Sequence, residues 1–113
     1  MNPNLLSNAV SVSSDETVTE LVSAPGVRIE RIVSTGQTSP PGFWYDQPWA
    51  EWVAVLQGEA EVMIEGEPAA ILLRTGDHVL LPARLRHRVE RTSASPPTIW
   101  LAVHFAPDAG QAG

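Results

Sequence analysis

An all-β fold, an antiparallel β-barrel or jelly roll of short strands, is what the sequence predicts, and three observations predict it. Apolar and polar residues alternate with period two in several stretches. Gly, Pro and Asp interrupt the chain at short, regular intervals. No segment carries the apolar spacing of a convincing helix. The 113 residues suit one domain with one core.

Val27 to Ser34 reads as a strand, and Ser34 to Gly42, rich in Gly, Ser and Pro, reads as a loop. Glu51 to Leu56 is strand-like and stops at Gln57-Gly58. Ala60, Val62 and Ile64 then alternate with Glu61, Met63 and Glu65, the mark of a half-buried strand. Glu65-Gly66-Glu67-Pro68 is a turn, Ala70 to Leu73 resumes an apolar run, and Thr75-Gly76-Asp77 turns into His78 to Leu81, ended by Pro82. Thr98 to Phe105 follows Ser95-Pro96-Pro97 and closes the set. These strands define a domain over 13–106. The flanks, 1–12 and 107–113, lack both apolar period and turn pattern and are expected to be flexible.

Composition narrows the function classes. The net charge of −6 repels phosphate backbones and anionic lipid, so neither nucleic acid nor membrane is an expected partner. With no cysteine there is no disulfide and no thiolate metal site. Neither a membrane-spanning run nor an obvious secretion signal is present, which makes the cytoplasm the expected location. Also missing are a glycine-rich phosphate loop, a Ser-His-Asp arrangement and a nucleophilic cysteine.

Arg84-Leu85-Arg86-His87-Arg88-Val89 carries the most information. In an extended chain, Arg84, Arg86 and Arg88 share one face and Leu85, His87 and Val89 the other. Three arginines will not share an apolar interior, so the pattern turns the arginines to water and His87 inward. In Ile99-Trp100-Leu101-Ala102-Val103-His104-Phe105 both faces are apolar, which leaves the direction of His104 open. A small barrel hides only one such face in its core. The other face predicts a homodimer.

From Gly36 to Phe105 the sequence resembles the small single-domain cupins. Glu51-Trp52-Val53-Ala54-Val55-Leu56-Gln57-Gly58 is similar to their first motif from its glutamate through its hairpin glycine, and Gly76, Asp77, Pro82 and His87 match the spacing of the second. The resemblance implies a barrel whose two motif strands are neighbours at one mouth. It also implies a divalent metal held by two histidines and a glutamate of the first motif and a histidine of the second. Carried over, Glu51 is that glutamate and His87 the second-motif histidine. The first-motif histidines are absent: their positions hold Tyr45 and Gln47, or Trp44 and Asp46, depending on the spacing. Arg84 stands where a glycine is common, and Arg91 where an asparagine is common.

The expected site therefore combines Glu51 and His87 with Asp46 and His104 as candidates to complete a metal sphere. Carboxylate and imidazole suit Zn, Fe, Mn or Ni without selecting among them. Trp44, Tyr45 and Gln47 are the candidate walls and contacts for a small-molecule ligand. Trp52 should face away from Glu51, and His78 should sit on the solvent side. Two functions fit: a metal-dependent cupin of unassigned chemistry, or a metal-free module that binds a small molecule in the same aromatic-lined pocket. The residues do not decide whether the chain is an enzyme.

Overall fold

A computed structural model describes residues 2–9 and 15–107. Residues 1 and 10–12 of the expected N-terminal segment and 108–113 of the expected tail lie outside them. Among the described residues eight strands follow in chain order: β1 (Thr17–Ala24), β2 (Val27–Ser34), β3 (Ala50–Gln57), β4 (Ala60–Ile64), β5 (Ile71–Leu73), β6 (His78–Leu81), β7 (His87–Thr92) and β8 (Thr98–Phe105). They form two antiparallel sheets, one ordered β1-β2-β8-β3-β6 and the other β5-β4-β7. The named strands do not join into one closed ladder; the sheets face each other as a jelly roll. No helix among the described residues is long and apolar enough to cross a membrane.

The core lies between the sheets. Val53, Val55, Leu81, Trp100 and Ala102 of the larger sheet meet Ala60, Val62 and Leu73 of the smaller. Alternation explains which side chains go there. In β8, Trp100, Ala102 and His104 point inward while Leu101, Val103 and Phe105, all partly exposed, lie on the other face, which settles the direction of His104; Ile99, on that other face by alternation, is fully buried. In β3, Glu51 and Val53 point inward and Trp52 outward, where its indole N–H donates to His78 Nδ1 at 3.3 Å. His78 is exposed, as expected.

Three features depart from the expectations. β1 was not foreseen: all eight of its residues are exposed, so it has no buried stripe. The arginine stripe is not one strand face. Arg84 has φ of 67° and sits in the turn before β7, and Arg88 is largely buried, its guanidinium donating to the carbonyls of Ser39 and Pro40. Finally, the motif strands β3 and β7 belong to different sheets. Their functional residues meet across the sandwich, not side by side.

The segment between β2 and β3 covers one open side. Ser39 and Tyr45 exchange hydrogen bonds with β7: the Ser39 N–H donates to the Val89 carbonyl, and Tyr45 and His87 pair through both backbone bonds. The Arg84 N–H donates to the Gln47 carbonyl at 2.7 Å. Held extended along β7, this segment sends Tyr45 and Gln47 inward and Trp44 and Asp46 outward.

Candidate functional site

A cavity of about 220 Å³ opens between the sheets at this end of the molecule. Aliphatic side chains and the rings of Tyr45 and Trp100 form most of its wall, and its polar groups are Glu16, Arg28, Glu30, Gln47, Glu51, His87 and His104. Of the residues singled out from sequence, Glu51, His87, His104, Tyr45 and Gln47 converge here. Asp46 does not: its carboxylate pairs with Arg84 at 3.3 Å on the surface. Trp44 does not line the cavity either; its ring lies under the guanidinium groups of Arg86 and Arg88, 5.9 and 6.0 Å from their central carbons.

Glu51 is the centre of the arrangement. Its side chain is 12 % exposed, and its two oxygens face His87 Nε2 at 3.7 Å and His104 Nε2 at 3.9 Å. Both distances exceed hydrogen-bonding reach, and no other described residue donates to this carboxylate. The side chain of His87, 7 % exposed, stacks on Tyr45 with ring centroids 5.2 Å apart. Its Nδ1 lies 2.9 Å from the Leu85 carbonyl, which only accepts, so Nδ1 carries the proton and neutral His87 turns the Nε2 lone pair to the cavity. Burial resists a charge on His87, but Glu51 and the Leu85 carbonyl outweigh it and raise its pKa above 6.5. Tyr45 is pushed upward from 10.0 by burial first and then by Glu16 and Glu51, so it remains a neutral phenol.

His104 is held differently. The Trp49 indole N–H, which can only donate, reaches His104 Nδ1 at 3.0 Å. Nδ1 is therefore the acceptor, and Nε2 carries the proton that bonds to Glu30 Oε1, also at 3.0 Å. Glu30 in turn accepts from Arg28 Nε at 3.1 Å, closing a Trp49–His104–Glu30–Arg28 chain. Sequence reading missed Glu30 and Arg28 and did not link Trp49 to His104. The signal was present in β2, where Arg28, Glu30 and Ile32 share one face, but the opposite face also carries Arg31 and neither looks cleanly buried.

This donor set fits a resident divalent ion poorly. A stable site wants three or four ligands with free lone pairs. Glu51 and His87 Nε2 offer two, His104 Nε2 is engaged as a donor, and Asp46 lies outside. Among the described residues no group of three or more His, Cys, Asp or Glu side chains is disposed to hold a metal.

Comparison with known proteins agrees with the fold. The cupin domain family model matches residues 31–104. A protein of Ralstonia eutropha JMP134 that bears the provisional name mannose-6-phosphate isomerase is 45 % identical; its crystal structure superposes with a TM-score of 0.89 over 94 % of this chain and 98 % of that one. A conserved Streptococcus pyogenes protein of unknown function is 21 % identical, with a TM-score of 0.74 over 96 % of this chain and 90 % of its own. A cupin superfamily protein of Desulfitobacterium hafniense is 17 % identical, with a TM-score of 0.74 over 93 % and 91 %. The last two share the fold alone. No curated protein matches the chain.

Proposed function

This chain belongs to the cupin domain family, and on that premise we propose that it binds a small molecule between its sheets, with Glu51 and His87 meeting the polar end of the ligand. One observation carries the reading. Glu51 is a largely buried carboxylate that faces the cavity, and among the described residues no donor comes within hydrogen-bonding distance of it, the two histidines standing at 3.7 and 3.9 Å. Buried carboxylates are costly unless a donor or cation satisfies them, and the open cavity is where that donor comes from. Aliphatic and aromatic walls around a few convergent polar groups are the general make-up of a ligand site. The neutral Tyr45 hydroxyl and the Gln47 amide add further hydrogen-bonding capacity at the rim of Glu51.

The same groups are competent for proton transfer. His87 stands beside a carboxylate that favours its protonated form, the pairing that general acid–base chemistry needs. The Ralstonia relative's provisional name is that of an isomerase, and an aldose–ketose isomerisation moves a proton between neighbouring carbons. That reaction class is compatible with Glu51 and His87, although the fold itself hosts many chemistries.

A metal reading keeps one specific support: the Nε2 lone pair of His87 faces Glu51 at a spacing two ligands of one ion can adopt. One experiment with two arms separates the readings. Small-molecule fragments screened by NMR should shift Tyr45, Val53, His87 and Trp100 together; shifts confined to other surfaces would overturn the binding reading. Elemental analysis after dialysis against Zn, Fe, Mn or Ni should find well under one ion per chain. One ion per chain in the wild type, lost in His87→Ala, would establish the metal instead.

A further inference from the structure

The charge around the cavity is one-sided. Three carboxylates line it, Glu16, Glu30 and Glu51, against the single guanidinium of Arg28. Arg28 is not available to an anion: it donates to Glu30, and its guanidinium lies over the Trp49 ring, 5.6 Å from the centroid. Glu30 is engaged by Arg28 and His104, and Glu16 accepts from the Ser34 hydroxyl at 2.9 Å. Of the three, Glu51 has no donor among the described residues within hydrogen-bonding distance; its oxygens face the cavity, with His87 and His104 Nε2 at 3.7 and 3.9 Å. Even with His87 protonated, three anions stand against two cations. Around Glu51 the wall is Tyr45, Trp100 and aliphatic side chains.

A desolvated carboxylate without a donor, set among aromatic faces, is the chemistry that recognises an organic cation. A phosphate or carboxylate ligand would meet Arg28, already committed to Glu30, and at most a protonated His87 whose charge faces Glu51; against three carboxylates it would sit beside like charge, which costs affinity steeply. We infer that the cavity takes a small organic ammonium ion, its nitrogen on Glu51 and its aliphatic body against Tyr45 and Trp100, and turns away phosphorylated and carboxylate-bearing molecules. The cavity lies below the roughly 300–1,000 Å³ of ordinary ligand clefts, which restricts the occupant to a small molecule. The inference rests on the binding reading above and adds the charge of the ligand to it.

Three probes with one carbon skeleton test it: isobutylammonium, isobutanol and isobutyrate, with mannose 6-phosphate as a fourth. Each is titrated at fixed ionic strength and pH into isotopically labelled protein while the Trp100 and Tyr45 resonances are followed. Isobutylammonium should bind at least about tenfold more tightly than isobutyrate, with isobutanol between them and mannose 6-phosphate weakest. In Glu51→Gln, with a spectrum otherwise like the wild type, the ammonium ion should lose most of its advantage over the alcohol. The inference is overturned if isobutyrate or mannose 6-phosphate binds as tightly as the ammonium ion in the wild type. This arm needs no variant to fold. It is equally overturned if Glu51→Gln leaves the preference intact. If no probe moves Trp100 or Tyr45, the cavity is not a ligand site for such molecules, and the binding reading fails with it.

Discussion

His87 and His104 stand at nearly equal distances from one carboxylate, yet their partners give them opposite characters. A carbonyl behind His87 fixes the proton on Nδ1, and an indole behind His104 fixes it on Nε2. His87 was legible from the alternation around it, and Glu51 from the resemblance to the cupin first motif. The character of His104 was not, because it depends on Trp49, 55 residues away. Asp46 shows the same limit: its chemistry suits a ligand, but one step along an extended segment puts it outside with Arg84. The raised pKa of His87 has a consequence for stability. A group bound to its proton more tightly when folded stabilises the fold fully below its unfolded pKa, near 6.5, and loses that contribution as pH rises through the higher folded value. The wild type should therefore exceed His87→Gln in melting temperature by more at pH 6 than at pH 8.5. Calorimetry across that range checks it, and a gap that widens with pH would contradict the assignment.

Strands with one buried face were readable, and β2 and β6 have the bounds their sequence patterns suggest. β1 was not, because an edge ribbon exposed on both faces leaves no period in its sequence. The start of β7 was misplaced for a different reason: Arg84 adopts a positive φ that is uncommon outside glycine, so the chain turns where alternation ran on. Gly58 is the element where sequence and structure agree most closely. It turns the chain from β3 in one sheet to β4 in the other with φ of 82°, and a Cβ there would lie 2.5 Å from Ser93 Oγ, 2.9 Å from the Pro97 carbonyl oxygen and 3.0 Å from Thr98 Cα. The left-handed backbone and the collision with the main chain add, so Gly58→Ala should destabilise the protein by about 2–4 kcal/mol. Gly66→Ala is the control, since φ there is also positive, at 91°, but nothing lies within 4 Å. It should cost only about 1–2 kcal/mol. Urea unfolding of the two variants distinguishes collision from backbone strain; equal losses would mean that the packing against Pro97 and Thr98 yields freely.

At the scale of the whole molecule, the larger sheet has one face on the cavity and core and the other outside. The registers place Val22, Ile29, Val103, Trp52 and Leu80 in one apolar row across all five of its strands. A second row, Ala24, Val27, Phe105 and Ala50, runs beside it over four strands. Val22 is 45 % exposed and Leu80 53 %, one at each edge strand, so the row remains uncovered at both ends of the sheet. With strands about 4.8 Å apart, the first row spans roughly 19 Å. An apolar surface of this continuity is the kind that marks an interface, and an isologous pairing lets one patch serve both subunits. The expectation of a homodimer, drawn from the two apolar faces of Ile99 to Phe105, thus acquires a definite surface: the outward face of β8 with its neighbours on both sides. Leu80 is the residue with which to test it, because it lies on that face and contributes little to the core. The wild type should elute and scatter as twice its 12.2 kDa chain mass at micromolar concentration. Leu80→Glu should shift that equilibrium toward monomer by at least about tenfold, since a charge placed in an apolar contact loses its water without gaining a partner. Unchanged far-ultraviolet circular dichroism would show that the variant still folds. A wild type that runs as a monomer at these concentrations, or a Leu80→Glu variant as dimeric as the wild type, would remove this face as the interface.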